Sequence, residues 1–156
     1  MKEVFKQSPN ISQKPIVPEG IVLHHTAGSY AGSVSWCLDP NSQVSYHCIV
    51  DLNGDRTILA KDNQRAWHAG KSIFKGRSNC NDFLLGIAVS LDTNTRELNE
   101  AEIESVACWC INKMQMYGFG IDMITTHRKI SAPRKNDVDQ RAENALRKKI
   151  IEYTML

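Results

Sequence analysis

Two adjacent histidines, His24 and His25, end the aliphatic run Ile21-Val22-Leu23 and lead into Thr26-Ala27-Gly28. Far downstream a second run of the same kind, Met123-Ile124-Thr125-Thr126, delivers His127-Arg128. Histidines at strand ends stand at the rim of a sheet, where a metal ion can be held and still face a substrate. Zinc takes nitrogen, oxygen or sulfur donors at about 2.0–2.3 Å, and a catalytic zinc keeps one of four positions open. His24 and His127 supply two donors. A third can come from Asp137, whose loop Pro133-Arg134-Lys135-Asn136-Asp137 is close enough in sequence to fold back on His127.

The elements that would carry these groups can be read along the chain. Pro15 and Pro18 exclude a regular helix near the start, so residues 1–18 read as an irregular lead-in. A strand covers about 20–26, and a short helix about 31–38 is stopped by Asp39-Pro40. Val44 to Asp51 reads as a strand that turns at Asn53-Gly54 and returns over Arg56 to Ala60. Lys61 to Asp82 is a polar loop containing Ala66-Trp67-His68-Ala69-Gly70, and a loop of that length usually serves function. Leu84 to Leu91 is the nearly continuous apolar run of a central strand. Asn99 with Glu102 forms a capping box for a helix whose apolar positions include Ile103, Val106, Cys110 and Met114, and Gly118 ends it. A strand at 122–126 leads to His127, and a final helix runs from about Val138 to Tyr153. Alternating strands and helices predict an α/β fold, a central mixed β-sheet flanked by helices, in a single domain over residues 1–156.

Composition bounds the partners. A formal net charge of +2 is too mild to argue for nucleic acid, and there is no polybasic run. No apolar stretch reaches the length of a membrane span. Met1 to Gln13 is polar and lacks the apolar core of a signal peptide, which predicts a cytoplasmic product. Five cysteines, an odd number without a CxxC pair, fit reduced thiols.

Taken together the motifs resemble those of the zinc-dependent N-acetylmuramoyl-L-alanine amidases of the type-2 amidase family, which includes the T7-type phage lysozymes and the animal peptidoglycan recognition proteins. The matching pieces are Ile-Val-Leu-His-His-Thr-Ala-Gly (21–28), Val-Ser-Tyr-His (44–47), Asp-Leu-Asn-Gly (51–54) and Arg-Ala-Trp-His-Ala-Gly (65–70). They are followed by Asn81, Gly86-Ile87, Thr126-His127-Arg128 and Pro133 to Asp137. Each is weak alone, but their order over about residues 20–140 is specific. The resemblance implies zinc on His24, His127 and Asp137, with Asp139 as a minor rival. Strand alternation favours His24 over His25 as the residue facing the metal. The resemblance further implies a catalytic Tyr46, a Lys135 that steadies the oxyanion, and substrate contacts from His47, Trp67, His68 and Asn81. A glutamate that some members carry in the strand at 84–91 is absent, because Ala88 follows Gly86-Ile87. That places more of the proton handling on Tyr46.

The function implied is hydrolysis of the amide between N-acetylmuramic acid and L-alanine, in peptidoglycan or muropeptides. A monomeric, phage-type endolysin that waits in the cytoplasm until the membrane is breached is the expected form. A cytosolic muropeptide-recycling amidase and a non-catalytic peptidoglycan-binding module are the alternatives.

Overall fold

The computed structural model describes all of residues 1–156. Its centre is a six-stranded sheet built from β1 (Glu3–Phe5), β3 (Gly20–His25), β4 (Cys48–Val50), β5 (Arg56–Ile58), β9 (Leu84–Val89) and β10 (Ile124–Thr126). The order across the sheet is β1-β5-β4-β9-β3-β10. β9 pairs in parallel with β3 on one side and β4 on the other, and every one of its residues is buried. β10 adds in parallel to β3, and β4 and β5 form an antiparallel hairpin. The sheet is therefore mixed, as the alternation of elements predicts. No helix is long and apolar enough to cross a membrane.

Alternation gives this sheet two unlike faces. Ile21 and Leu23 of β3, Leu85, Ile87 and Val89 of β9, and Cys48 and Val50 of β4 point to one side. There they pack on α2 (Glu100–Tyr117) and α4 (Gln140–Thr154) through Val106, Ala107, Cys110, Leu146 and Ile150. α2 starts where its capping box predicts. The Asn99 side chain accepts the Glu102 N–H and the Glu102 carboxylate accepts the Asn99 N–H, while Gly118 closes the helix at φ 71. The opposite face carries Val22, His24, Ile49, Leu84, Gly86 and Ala88. It is covered partly by α1 (Tyr30–Leu38), which packs Val34 and Cys37 on Ile49 and Ala88.

Four expectations are corrected. Residues 1–18 are not wholly irregular: β1 pairs in parallel with β5 at the sheet edge, and β2 (Ile11–Ser12) pairs with β6 (Arg65–Ala66). Such short edge strands bury little, so they leave no hydrophobic pattern to read. The strand expected from Val44 starts only at Cys48. Ahead of it Ser45 donates its hydroxyl to Asn10 and accepts the Trp67 N–H, a local arrangement that competes with a regular ladder. The polar loop 61–82 contains β6, the small hairpin of β7 (Ile73–Phe74) and β8 (Arg77–Ser78), and a 3-10 turn at Cys80–Asp82. His127 is not the last residue of a strand but the first of a one-turn helix, α3 (His127–Ile130), capped by the Thr126 side chain.

Candidate metal centre

β3 and α3 bring His24 and His127 together on the sheet face that α2 and α4 do not cover. His24 is 1% exposed and His127 6%. Their Nδ1 atoms lie 3.1 Å apart. The chain after α3 returns Asp137 to the same point, with Oδ2 at 3.4 Å from His24 Nδ1 and Oδ1 at 3.3 Å from His127 Nδ1. The Asp137 carboxylate also accepts the His25 backbone N–H at 3.2 Å, which ties the loop to the end of β3.

These separations test whether the three residues suit a metal. Donors at about 2.0–2.1 Å around a tetrahedral ion stand about 3.3 Å from one another. The two imidazole nitrogens stand 3.1 Å apart, and each is met by a different oxygen of Asp137, at 3.4 and 3.3 Å, so the donors of the three residues cluster at about that spacing. The protonation pattern agrees. His127 Nε2 lies 3.0 Å from the Ala69 carbonyl, which can only accept, so Nε2 carries a proton and Nδ1 is the nitrogen turned to His24 and Asp137. Burial lowers the pKa of His24 to about 4, so this ring is neutral near pH 7. Burial pushes the Asp137 carboxyl up, but hydrogen bonds to His127 and His24 outweigh it and hold it below the usual carboxylate range. Two imidazole nitrogens and one carboxylate form a donor set of the kind that a divalent cation would complete.

The neighbouring candidates fall elsewhere. His25 points away, and its Nδ1 accepts the Thr93 N–H at 3.1 Å. Asp139, the rival ligand, caps α4 by accepting the Arg141 N–H. Tyr46 packs edge-on against His24 with ring centroids 5.1 Å apart. Burial, followed by the charges of Cys37 and Asp137, pushes its phenol up, so the hydroxyl keeps its proton throughout the neutral range. Lys135 is exposed two residues before Asp137. Ala88 stands directly opposite His24 in the β3–β9 register, so no glutamate enters the site from β9.

Three residues expected to touch substrate lie in the interior instead. His47 is wholly buried, with Nε2 bonded to the Gln64 carbonyl at 2.8 Å and Nδ1 accepting the Gly86 N–H at 3.0 Å. Asn81 is 7% exposed, and its carbonyl oxygen accepts the backbone N–H groups of His68 and Ala69. His68 is 5% exposed and packs behind His24. Each is a polar group hydrogen-bonded to protein partners, which is what burial demands. Trp67 is half-buried and donates its indole N–H to Ser12, so it fastens the loop to the chain start.

Sequence reasoning missed the outer supports. The Ala69 carbonyl that holds His127 also accepts from Arg134 at 3.2 Å, and Arg134 and Ser131 both donate to the Lys71 carbonyl. Backbone acceptors leave no side-chain signature to find. Two clefts also went unread. Beside Tyr46 is a cavity of about 370 Å³ walled by Thr26, Ser29, Ser33 and the exposed Trp36, with no charged side chain. On the α3 side is one of about 610 Å³ whose wall includes Lys71, Asn79, Ser131 and Arg134.

Comparison with known proteins places this architecture. The family described as N-acetylmuramoyl-L-alanine amidase matches residues 12–140. The 1,6-anhydro-N-acetylmuramyl-L-alanine amidase AmpD of Haemophilus influenzae is 38% identical over 99 residues, covering 63% of this chain and 53% of that protein. The chain thus spans about half the length of the curated relatives it first matches. A crystal structure of a selenomethionine AmpD derivative superposes with a TM-score of 0.82 at 25% identity, covering 96% of this chain and 94% of that one. A mutant endolysin from Bacillus subtilis shares the fold, with a TM-score of 0.75 at 19% identity over 96% and 99% of the two chains.

Proposed function

The chain belongs to the N-acetylmuramoyl-L-alanine amidase family, and on that premise we propose that it is a zinc amidase. It hydrolyses the bond between the lactyl group of N-acetylmuramic acid and L-alanine. The observation that carries this reading is the triangle of His24 Nδ1, His127 Nδ1 and the Asp137 carboxylate, whose spacing and charge suit zinc. Zinc held there would polarise the scissile carbonyl and make hydroxide available near neutral pH.

The chain's own groups do the rest. The Tyr46 hydroxyl stays protonated and stands at the neutral cleft, where it can donate to the departing amide nitrogen as the C–N bond breaks. Lys135, on the Asp137 loop, places a cation near the charge that develops on the carbonyl oxygen. The two clefts divide the substrate by charge. The uncharged cleft with Trp36 and three hydroxyl side chains suits a sugar ring, and the side carrying Lys71 and Arg134 suits the carboxylates of a stem peptide.

Of the two substrates weighed from the sequence, soluble fragments are favoured over the intact wall. The Haemophilus influenzae relative, alike in sequence, is named for a 1,6-anhydro-muramyl substrate, while the endolysin likeness is one of fold. The protein then acts in recycling rather than lysis. Parallel digestion of soluble anhydro-muropeptides and intact sacculi, read by mass spectrometry, tests this. Fast cleavage of the soluble fragments at the L-alanine bond is expected. Fast solubilisation of sacculi with the fragments spared would return the lytic reading, and new reducing sugar ends would rule out an amidase.

A further inference from the structure

We infer that His68 is a positioning residue that fixes the tautomer of His24, so that the Nδ1 of His24 is the atom offered to the metal. The inference rests on the metal-centre reading above and adds a role that the ligand set does not contain.

One line of hydrogen bonds fixes where each proton sits. His68 Nε2 lies 3.0 Å from the Leu84 carbonyl. A carbonyl oxygen has no proton, so His68 Nε2 must carry one. His68 is buried, and its ring is hydrogen-bonded by the Leu84 carbonyl and by His24, with no carboxylate to balance a second proton. The ring is neutral, and its Nδ1 is therefore a bare acceptor. That Nδ1 is 2.9 Å from His24 Nε2, so the His24 proton must sit on Nε2. The lone pair of His24 is left on Nδ1, the atom that faces His127 and Asp137. The line runs from the Leu84 carbonyl at the start of β9, across His68, to His24 near the end of β3. His127 reaches the same state in one step through the Ala69 carbonyl. A ligand imidazole held by an outer hydrogen bond is fixed in both tautomer and ring plane.

The sheet leaves room for this ring at one place. A Cβ built on Gly86 would stand 2.5 Å from His68 Cγ and 2.6 Å from its Nδ1, closer than atoms can pack. Gly86 lies between Leu84 and Ala88 on the metal-bearing face, so the lone glycine of β9 makes the slot in which His68 rests. A glycine inside a strand marks such a close approach. Asn81 holds the backbone of His68 and Ala69 from the other side through one carbonyl oxygen, and so supports the outer partners of both histidines.

The test has two independent readouts. Long-range proton–nitrogen correlation spectra of the zinc-loaded wild-type protein should show His68 and His24 both protonated at Nε2. A His68 ring protonated at Nδ1 would overturn the relay, whatever the variants do. Zinc affinity, measured by competition with a chromophoric chelator, should fall about 10–100-fold in His68→Leu. His68→Asn, which keeps a short acceptor facing His24, should restore most of it. Gly86→Ala should weaken zinc in the same sense by displacing the ring, although no ligand is touched. Wild-type affinity in the leucine variant would overturn the relay while leaving the metal site standing. Failure of the wild-type protein to bind zinc would overturn both.

Discussion

Leu23 and His24 are neighbours in β3, yet they belong to two different chemistries. Leu23 looks into hydrocarbon, among Ile21, Leu85, Ile87 and the helices α2 and α4. His24 looks the other way, toward His127, Asp137, His68 and Tyr46. The apolar face is held by area removed from water, at roughly 25 cal/mol per Å², and it tolerates changes that keep volume. The polar face is held by directional contacts among His24, His127, Asp137 and His68, and it tolerates little. A strand one residue out of register would exchange the two faces, so the apolar face fixes where the histidines stand.

That division can be broken from either side. The largest effect is expected from the ligands. His24→Ala, His127→Ala or Asp137→Ala should lower amidase turnover at least about a thousandfold, because the lost polarisation is worth several kcal/mol and each 1.36 kcal/mol is tenfold. Zinc content should fall with turnover while the metal-free melting temperature stays near that of the parent. His25→Ala should keep its zinc, and equal zinc loss in both His24 and His25 variants would erase the distinction between the faces. The converse holds for Leu85→Ala or Ile87→Ala. Each should cost about 2–5 kcal/mol in denaturant unfolding but leave one zinc per folded molecule. Loss of zinc from the folded fraction would show that the faces are not separable.

Within the polar face the groups proposed to hold metal can be separated from those proposed to handle protons. Tyr46→Phe and Lys135→Ala should reduce turnover by about 10²-fold each, with zinc affinity and stability unchanged. Turnover near the parent level would remove that residue from the mechanism. The most gradual effect is a pH dependence, read as a slope. Burial lowers His47 from 6.5 to about 4. Below pH 6.5 the unfolded chain takes up a proton that the folded one refuses, so this contribution is full above pH 6.5 and is lost as pH falls toward 4. The slope is about 1.4 kcal/mol per pH unit for one such histidine. Unfolding of the metal-free protein across that window should show it, and His47→Gln should flatten the profile by that amount. An unchanged slope would mean that His47 is not held neutral.

Much of this was legible in the sequence where the signal is local. The capping box at Asn99 and Glu102, the Gly118 stop, the apolar run of β9 and the Asn53-Gly54 turn each announce an element through a few adjacent residues. The clustering of His24, His127 and Asp137, the proposed metal donors, was legible through their order and chemistry. What could not be read depends on contacts distant in sequence. β1 is a strand only because β5 lies beside it. His47, His68 and Asn81 look like groove residues as polar side chains near a motif, but in the fold they meet backbone groups of Gln64, Gly86, Leu84, His68 and Ala69 and, for His68, the His24 ring. A sequence does not show which carbonyl will meet which ring. The one available hint was the single glycine in β9, which marks where another side chain must come close.

The central claim is that His24, His127 and Asp137 hold the zinc that cuts the muramoyl–L-alanine amide. A soluble anhydro-muramyl peptide incubated with the zinc-loaded, chelated and zinc-restored protein, with Asp137→Ala alongside, tests it most directly by mass spectrometry. The account predicts a peptide with a free L-alanine amino terminus and the matching anhydro-muramic acid from the loaded and restored protein. It predicts none from the chelated protein or the variant. The same products from the chelated protein, or cleavage at any other bond, would contradict it.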